Sequence, residues 1–402
     1  MKFRKRNSLL CAGMVCLLLL GGCEKGTVAR EPDRSEPEAA SRMAFARTSE
    51  SCAESTDEKI YIQPFLESSG VVSLNLESGE TTVLNLNGSD SIFSKNLVSD
   101  GIQIVDGRLY AFVKGTNYKN PALYRMDLDG SNIEKIAEIS DKMHVLSGRV
   151  IGDEMYFFGV PIQEDGSVEH LYRQSLTQTD AEPEEILMMD EDGDEWAFTG
   201  LRSLVAEEEQ GVLYFERHRH QDDGQEETTV WMYDTAKEQA EKIFETNRDV
   251  SYFVKDGWVY YSECTYIEDE PTEYDTIQRQ NIQTGEAEDT GVAGGKLIGC
   301  DADYYYVETH EKEYSTDMSN IEVYKLDGTP VETLRVAAHD TIVGTTYDAI
   351  VIHDYENSGS SEISENVYVY DKAQIGTGEG EWKKVTIKCD SDELDSVEVV
   401  QK

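Results

Sequence analysis

Cations, proline and tryptophan are scarce in this chain of 402 residues: 36 Lys and Arg stand against 80 Asp and Glu, with 8 Pro and 4 Trp. The resulting formal charge of −44 excludes nucleic-acid binding, because affinity for a phosphate backbone rests on cationic counterion release. Long hydrophobic runs are missing as well. The longest, Leu9 to Leu20, is too short for a permanent membrane-spanning helix. There is no Gly-x-Ser-x-Gly elbow, no His-Glu-x-x-His helix and no phosphate-cradling glycine loop, so the common hydrolase, metalloprotease and nucleotide-binding signatures are absent. Carboxylates suited to glycosidase chemistry discriminate nothing here, since among so many acids some pair always stands at a workable distance. What is present is enough apolar material, 39% hydrophobic and 9% aromatic, to build a sizeable core and exclude wholesale disorder. The length suits two or three ordinary domains or one large all-β unit.

The N-terminus carries an address. Lys2, Arg4, Lys5 and Arg6 precede the apolar stretch, which is the layout of a secretory signal. That stretch ends in Leu20-Gly21-Gly22-Cys23, which resembles the lipobox of bacterial lipoproteins. The resemblance implies cleavage after residue 22, acylation of Cys23, and anchoring on the outer side of the cytoplasmic membrane. Several acyl chains on one cysteine satisfy the two-signal requirement for stable anchoring, at about 0.8 kcal/mol per buried CH₂. Residues 1–22 are therefore expected to be a signal peptide. Residues 23–57, rich in Glu, Ser, Ala, Arg and Pro and lacking apolar periodicity, read as a disordered tether.

From residue 58 to 402 the sequence repeats. An apolar-aromatic-apolar strand pattern centres on Tyr61, Tyr110, Tyr156, Tyr214, Tyr260, Tyr305 and Val351, at intervals of 49, 46, 58, 46, 45 and 46 residues. Several of these strands follow a tight-turn dipeptide, Asp106-Gly107, Gly152-Asp153, Gln210-Gly211 or Asp256-Gly257, whose tolerance of positive φ predicts an antiparallel hairpin. A second strand recurs downstream in each unit, for example Ala122 to Met126 and Glu322 to Leu326, followed by a polar turn and a β-prone run. Four antiparallel strands at this period predict an all-β, seven-bladed β-propeller with four-stranded blades. The strand before the first hairpin is missing ahead of Lys59. The alternating segment Ser396 to Val400 is expected to supply it and close the ring.

Leu123 to Asn132 resembles the recurring segment of bacterial lipoproteins related to low-density-lipoprotein-receptor-type and TolB-type propellers. That resemblance implies a propeller head that binds a protein or polymer, with no shared catalytic set.

Long polar connections between second and third strands collect on one face, which makes that face the expected recognition surface. Tyr118, Tyr266, Tyr314 and Tyr355 fall in these connections as candidate stacking residues for a peptide or glycan. Glu216, His218 and His220 alternate along a strand and form one candidate metal set, against the plainer reading of an exposed polar strand end. Asp190, Asp192 and Asp194 cluster carboxylates as calcium loops do, without the full loop spacing, against the reading of a solvated acidic loop. No other cofactor is expected. Four cysteines outside the signal and lipidation site suggest two disulfides, Cys264 with Cys300 and Cys52 with Cys389. Taken together the sequence predicts a monomeric, membrane-anchored extracytoplasmic lipoprotein whose propeller binds or scaffolds a protein, peptide or glycan; the alternative is an exported polysaccharide hydrolase or lyase.

Overall fold

The computed structural model describes residues 46–48, 52–64, 70–85, 97–114, 121–162, 169–178, 182–187, 199–220, 226–267, 270–309, 319–336, 341–356, 363–390 and 393–401. Seven antiparallel sheets of at least four strands form the blades of an all-β propeller. Blade one comprises Ala53–Ser55, Lys59–Ile62, Gly70–Asn75 and Thr81–Asn85; blade two Leu97–Val105, Arg108–Val113, Ala122–Asp127 and Glu134–Glu138; blade three Met143–Ile151, Glu154–Pro161, His170–Ser175 and Glu184–Leu187. Blade four is Thr199–Glu207, Val212–His220, Glu226–Asp234 and Gln239–Thr246; blade five Asp249–Lys255, Trp258–Ile267, Gln278–Asn281 and Ala287–Asp289. Blade six is Lys296–Cys300, Tyr304–Thr309, Ser319–Lys325 and Pro330–Val336; blade seven Thr341–Thr345, Ala349–Glu356, Ile363–Asp371 and Lys383–Asp390.

The repeated aromatic motif is the second strand of each blade, and its central residue is buried in every one, from Tyr61 to Val351. Apolar side chains alternate along these strands and meet those of the adjacent blade. Phe112, Leu123, Phe157 and Tyr172 join blades two and three, and Phe158, Leu171, Leu213 and Phe215 join three and four. Each sheet thus buries its faces only against its neighbours, which is why one repeat cannot fold alone. The turns behave as their sequences require. Asp106 and Gly107 have φ of 49° and 71°, and Asp256 and Gly257 have 51° and 76°, the left-handed pair of a two-residue hairpin.

Closure of the ring differs from the sequence expectation. Glu393–Gln401 packs beside Thr81–Asn85 of blade one but does not pair with it; it pairs antiparallel with Lys383–Asp390 as a fifth, outer strand of blade seven. Only two residues separate these strands, so the C-terminal segment doubles back on its own predecessor. Reaching the axis would mean crossing the whole blade, about 15 Å at ~4.8 Å per strand. The inner place in blade one is already filled by Ala53–Ser55, a segment expected to belong to the tether. Blades one and seven instead close the ring by packing, with Ile60, Ile62, Val72 and Leu74 against Val351, Val367, Val369, Val385 and Ile387. The backbone NH of Asp348 adds a hydrogen bond to Ser55 Oγ at 3.4 Å across this seam.

A strand still earlier in the chain also joins the propeller. Ala46–Arg47 pairs antiparallel with the inner strand of blade six, Ala46 opposite Cys300 and Arg47 opposite Gly299. Cys300 directly precedes the first hairpin turn of blade six. From Ala46 to Thr48 the chain therefore runs along the axis, away from the face that carries the hairpin turns.

Candidate functional site

A cavity of about 910 Å³ opens on that hairpin-turn face, across blades six, seven and one. Its walls come from the turns between first and second strands (Asp57 and Glu58, Asp301 and Asp303, Tyr347 and Asp348) and from those between third and fourth strands (Asn75 to Glu77, Asp371 to Lys383). This is opposite the face with the long second-to-third-strand connections that the sequence singled out.

The local structure of each turn explains how its side chains are presented. The Asp301 carboxylate accepts hydrogen bonds from the backbone NH groups of Asp303 and Tyr304 at 2.9 and 3.0 Å, an Asx turn that fixes the start of the aromatic strand. Its second oxygen accepts from the Tyr306 hydroxyl and lies 3.5 Å from Lys372 Nζ. Lys372 opens a short 3₁₀ turn, Lys372–Gln374, capped by the Asp371 carboxylate on Ala373 NH at 2.9 Å. Its ammonium also sits 4.1 Å from the centre of the Tyr306 ring, and its side chain is only 7% exposed. The Lys372 NH donates to the Asp348 carbonyl at 2.9 Å, which ties this turn to the neighbouring one. Farther out, Trp382 packs on Tyr370 with ring centres 5.2 Å apart, and Gly380 is held where an added Cβ would collide with the Tyr370 hydroxyl.

The electrostatics are layered. At the floor, burial pulls the Lys372 ammonium down to about 8, opposed by the Asp301 charge. Burial first, then Asp301, pushes the Tyr306 hydroxyl well above its ordinary range, so it remains a neutral donor. At the rim, Asp57, Glu58, Glu77, Asp303, Glu379 and Glu381 are all exposed. Tyr304, Tyr347 and Trp382 stand among them half-buried. A rim of solvated carboxylates around aromatic faces attracts cations, and the rings add a cation–π surface.

The residues singled out in the sequence fare differently. Glu216 and His218 do come together, with His218 Nε2 3.4 Å from Glu216 Oε1 and Nδ1 3.3 Å from Thr228 Oγ1. Both are buried, since their strand continues into the blade, so the exposed strand end does not apply to them. The His220 side chain lies outside the described residues. Among the described residues no three His, Cys, Asp or Glu side chains converge as a metal site would require. Asp190, Asp192 and Asp194, with Tyr118 and Tyr314, also lie outside the described residues. Tyr266 and Tyr355 belong to strands rather than loops, in Trp258–Ile267 and Ala349–Glu356, and their side chains are not described.

The expected disulfide between Cys264 and Cys300 is not formed; both are buried thiols. Cys264 pairs with Asp249 at one end of blade five, whereas Cys300 adjoins the hairpin turn at the other end of blade six. Six residues of strand separate Cys264 from the hairpin turn before Trp258, about 20 Å. Cys52 is likewise a buried thiol, and the Cys389 side chain lies outside the described residues.

The cleft residues were not foreseen. A partial signal was available, because an acidic residue immediately precedes the second strand in four units, Glu58 before Lys59, Asp153 before Glu154, Asp303 before Tyr304 and Asp348 before Ala349, and three of these four line the cleft.

Neither a protein-family model nor a curated protein sequence matches the chain. Solved structures do. A prolyl endopeptidase aligns at 11% identity and a TM-score of 0.54 over 88% of this chain and 56% of its own. An acylaminoacyl peptidase from Pyrococcus horikoshii aligns at 14% identity and a TM-score of 0.50, over 75% and 51%. An oligogalacturonate lyase in complex with manganese aligns at 11% identity and a TM-score of 0.49, over 76% and 82%. The chain thus spans little more than half of the two peptidases. At these identities the likeness is one of fold alone, and the fold is the β-propeller.

Proposed function

We propose that this chain is a lipid-anchored extracytoplasmic binding module whose acidic cleft takes a basic, extended segment of a partner protein or peptide. The observation that carries this reading is the joining of exposed carboxylates and aromatic faces in one cavity of about 910 Å³. Lysine and arginine side chains are drawn by the rim carboxylates and lie against the rings of Tyr304, Tyr347 and Trp382, while the peptide backbone remains solvated. The lipobox-like Leu20-Gly21-Gly22-Cys23 supports acylation at Cys23 and anchoring at the outer face of the membrane.

The test is titration of the protein with a Lys/Arg-rich peptide, its charge-reversed counterpart and a neutral oligosaccharide. The reading predicts saturable binding of the basic peptide alone, weakening with salt. The Glu379→Gln, Glu381→Gln double variant should bind it about tenfold more weakly, at roughly threefold per exposed carboxylate contact. Turnover of a polysaccharide in the same assays would favour the exported hydrolase or lyase instead.

A further inference from the structure

A second, smaller cavity of about 150 Å³ lies between the inner edges of blades four and five, bounded on the axis side by Ala46 and Thr48. Its polar groups are unusual for a propeller core. Glu216, only 7% exposed, lines it, and the Ser203 hydroxyl donates to Glu216 Oε1 at 2.5 Å. Ser203 adopts φ of 60° within the irregular pairing between Arg202 and Val205, a left-handed conformation uncommon for a residue with a Cβ. Tyr252 and Thr48 also line the cavity; both residues are 7% exposed, and neither the Tyr252 hydroxyl nor Thr48 Oγ1 has a protein hydrogen-bond partner. Among the described residues no lysine or arginine lines it.

We infer that this cavity is a ligand site, separate from the cleft, for the primary ammonium group of a short aliphatic amine. Buried polar oxygens without partners are costly, and here two residues that carry such hydroxyls line one space with a buried carboxylate residue. A primary ammonium carries three donors and no acceptor, which matches Glu216, Tyr252 and Thr48 as acceptors. Its charge is compensated by Glu216, as burial of a cation demands. Of the other lining residues, Val205, Ala206, Val250, Phe253 and Val254 are apolar and suit methylenes, while Glu207 and Tyr214 hydrogen-bond to each other and the Ser251 hydroxyl donates to the Leu297 carbonyl at 2.5 Å. The volume corresponds to about five water-sized groups at ~30 Å³ each, room for an amine with a three- or four-carbon tail. A hard metal ion fits worse, since it asks for six to eight oxygen ligands.

Calorimetric titration of the full-length protein with n-butylamine, with 1-butanol and with calcium chloride tests the assignment. The expected result is saturable binding of butylamine alone, weakened at least tenfold by Glu216→Gln and several-fold by Tyr252→Phe. The cleft variant Glu379→Gln, Glu381→Gln should leave it unchanged. Tyr252→Phe removes one oxygen without altering the ring, so it remains informative if Glu216→Gln fails to fold. Absence of saturable butylamine binding, equal binding of butanol, indifference to both Glu216→Gln and Tyr252→Phe, dependence on the cleft carboxylates, or calcium binding abolished by Glu216→Gln would each overturn the proposal.

Discussion

His353 and Glu365 are fully buried in blade seven, with Nδ1 2.5 Å from Oε1. Removing one member of such a pair leaves the other desolvated, so Glu365→Ala is expected to lower stability by about 3–5 kcal/mol, read from the denaturant midpoint. A second residue-scale consequence concerns pH. Burial raises the Glu207 carboxyl from 4.5 to about 7, despite a hydrogen bond with Tyr214 that acts the other way. Between those values the folded chain binds more protons than the unfolded one, so this group makes stability fall as pH rises from 4.5 to about 7. Glu207→Gln should remove that part of the slope, at most about 3 kcal/mol, when thermal unfolding is compared at pH 5 and pH 8. Lys372 acts in the opposite sense. Its ammonium is lowered to about 8 in the fold, so its contribution rises from pH 8 toward its ordinary value of 10.5. None of these environments is written in the local sequence. Glu207 and Glu209 are near neighbours in the same acidic run, and only the turn decides that Glu207 is half-buried and Glu209 exposed.

At the scale of strands and turns the sequence was most informative, because a two-residue hairpin and an alternating aromatic strand are local decisions. Asp106-Gly107 and Asp256-Gly257 have the backbone angles their composition demands. The ends of the chain were less legible. Ala53–Ser55 is too short to show a period, and the partner of Glu393–Gln401 depends on which edge lies nearest in space. Contacts between blades are equally invisible in one repeat. An added Cβ on Gly148, in the inner strand of blade three, would lie 2.4 Å from the buried Phe112 ring of blade two. Gly148→Ala should therefore cost about 1–3 kcal/mol by overpacking, measured by chemical unfolding. Truncation before Glu393 exposes the outer edge of Lys383–Asp390. Light scattering of the truncated protein should show concentration-dependent association through that edge.

Over the whole molecule the seam between blades one and seven is the distinctive feature, since it is joined by side-chain packing without a shared sheet. Strand pairing that spans first and last blades would resist local opening, and among the described residues there is none, so amides of blades one and seven should exchange with solvent before those of blade three. The same seam explains why the cleft escaped the sequence. Glu58, Asp303, Asp348 and Lys372 are hundreds of residues apart in part, yet ring geometry gathers them at one mouth. The most direct test is a hydrogen-exchange footprint of the protein with a bound Lys/Arg-rich peptide. Protection centred on 301–304, 347–348 and 371–383 is the predicted result; protection confined to the opposite face, or none at saturating peptide, would contradict the account.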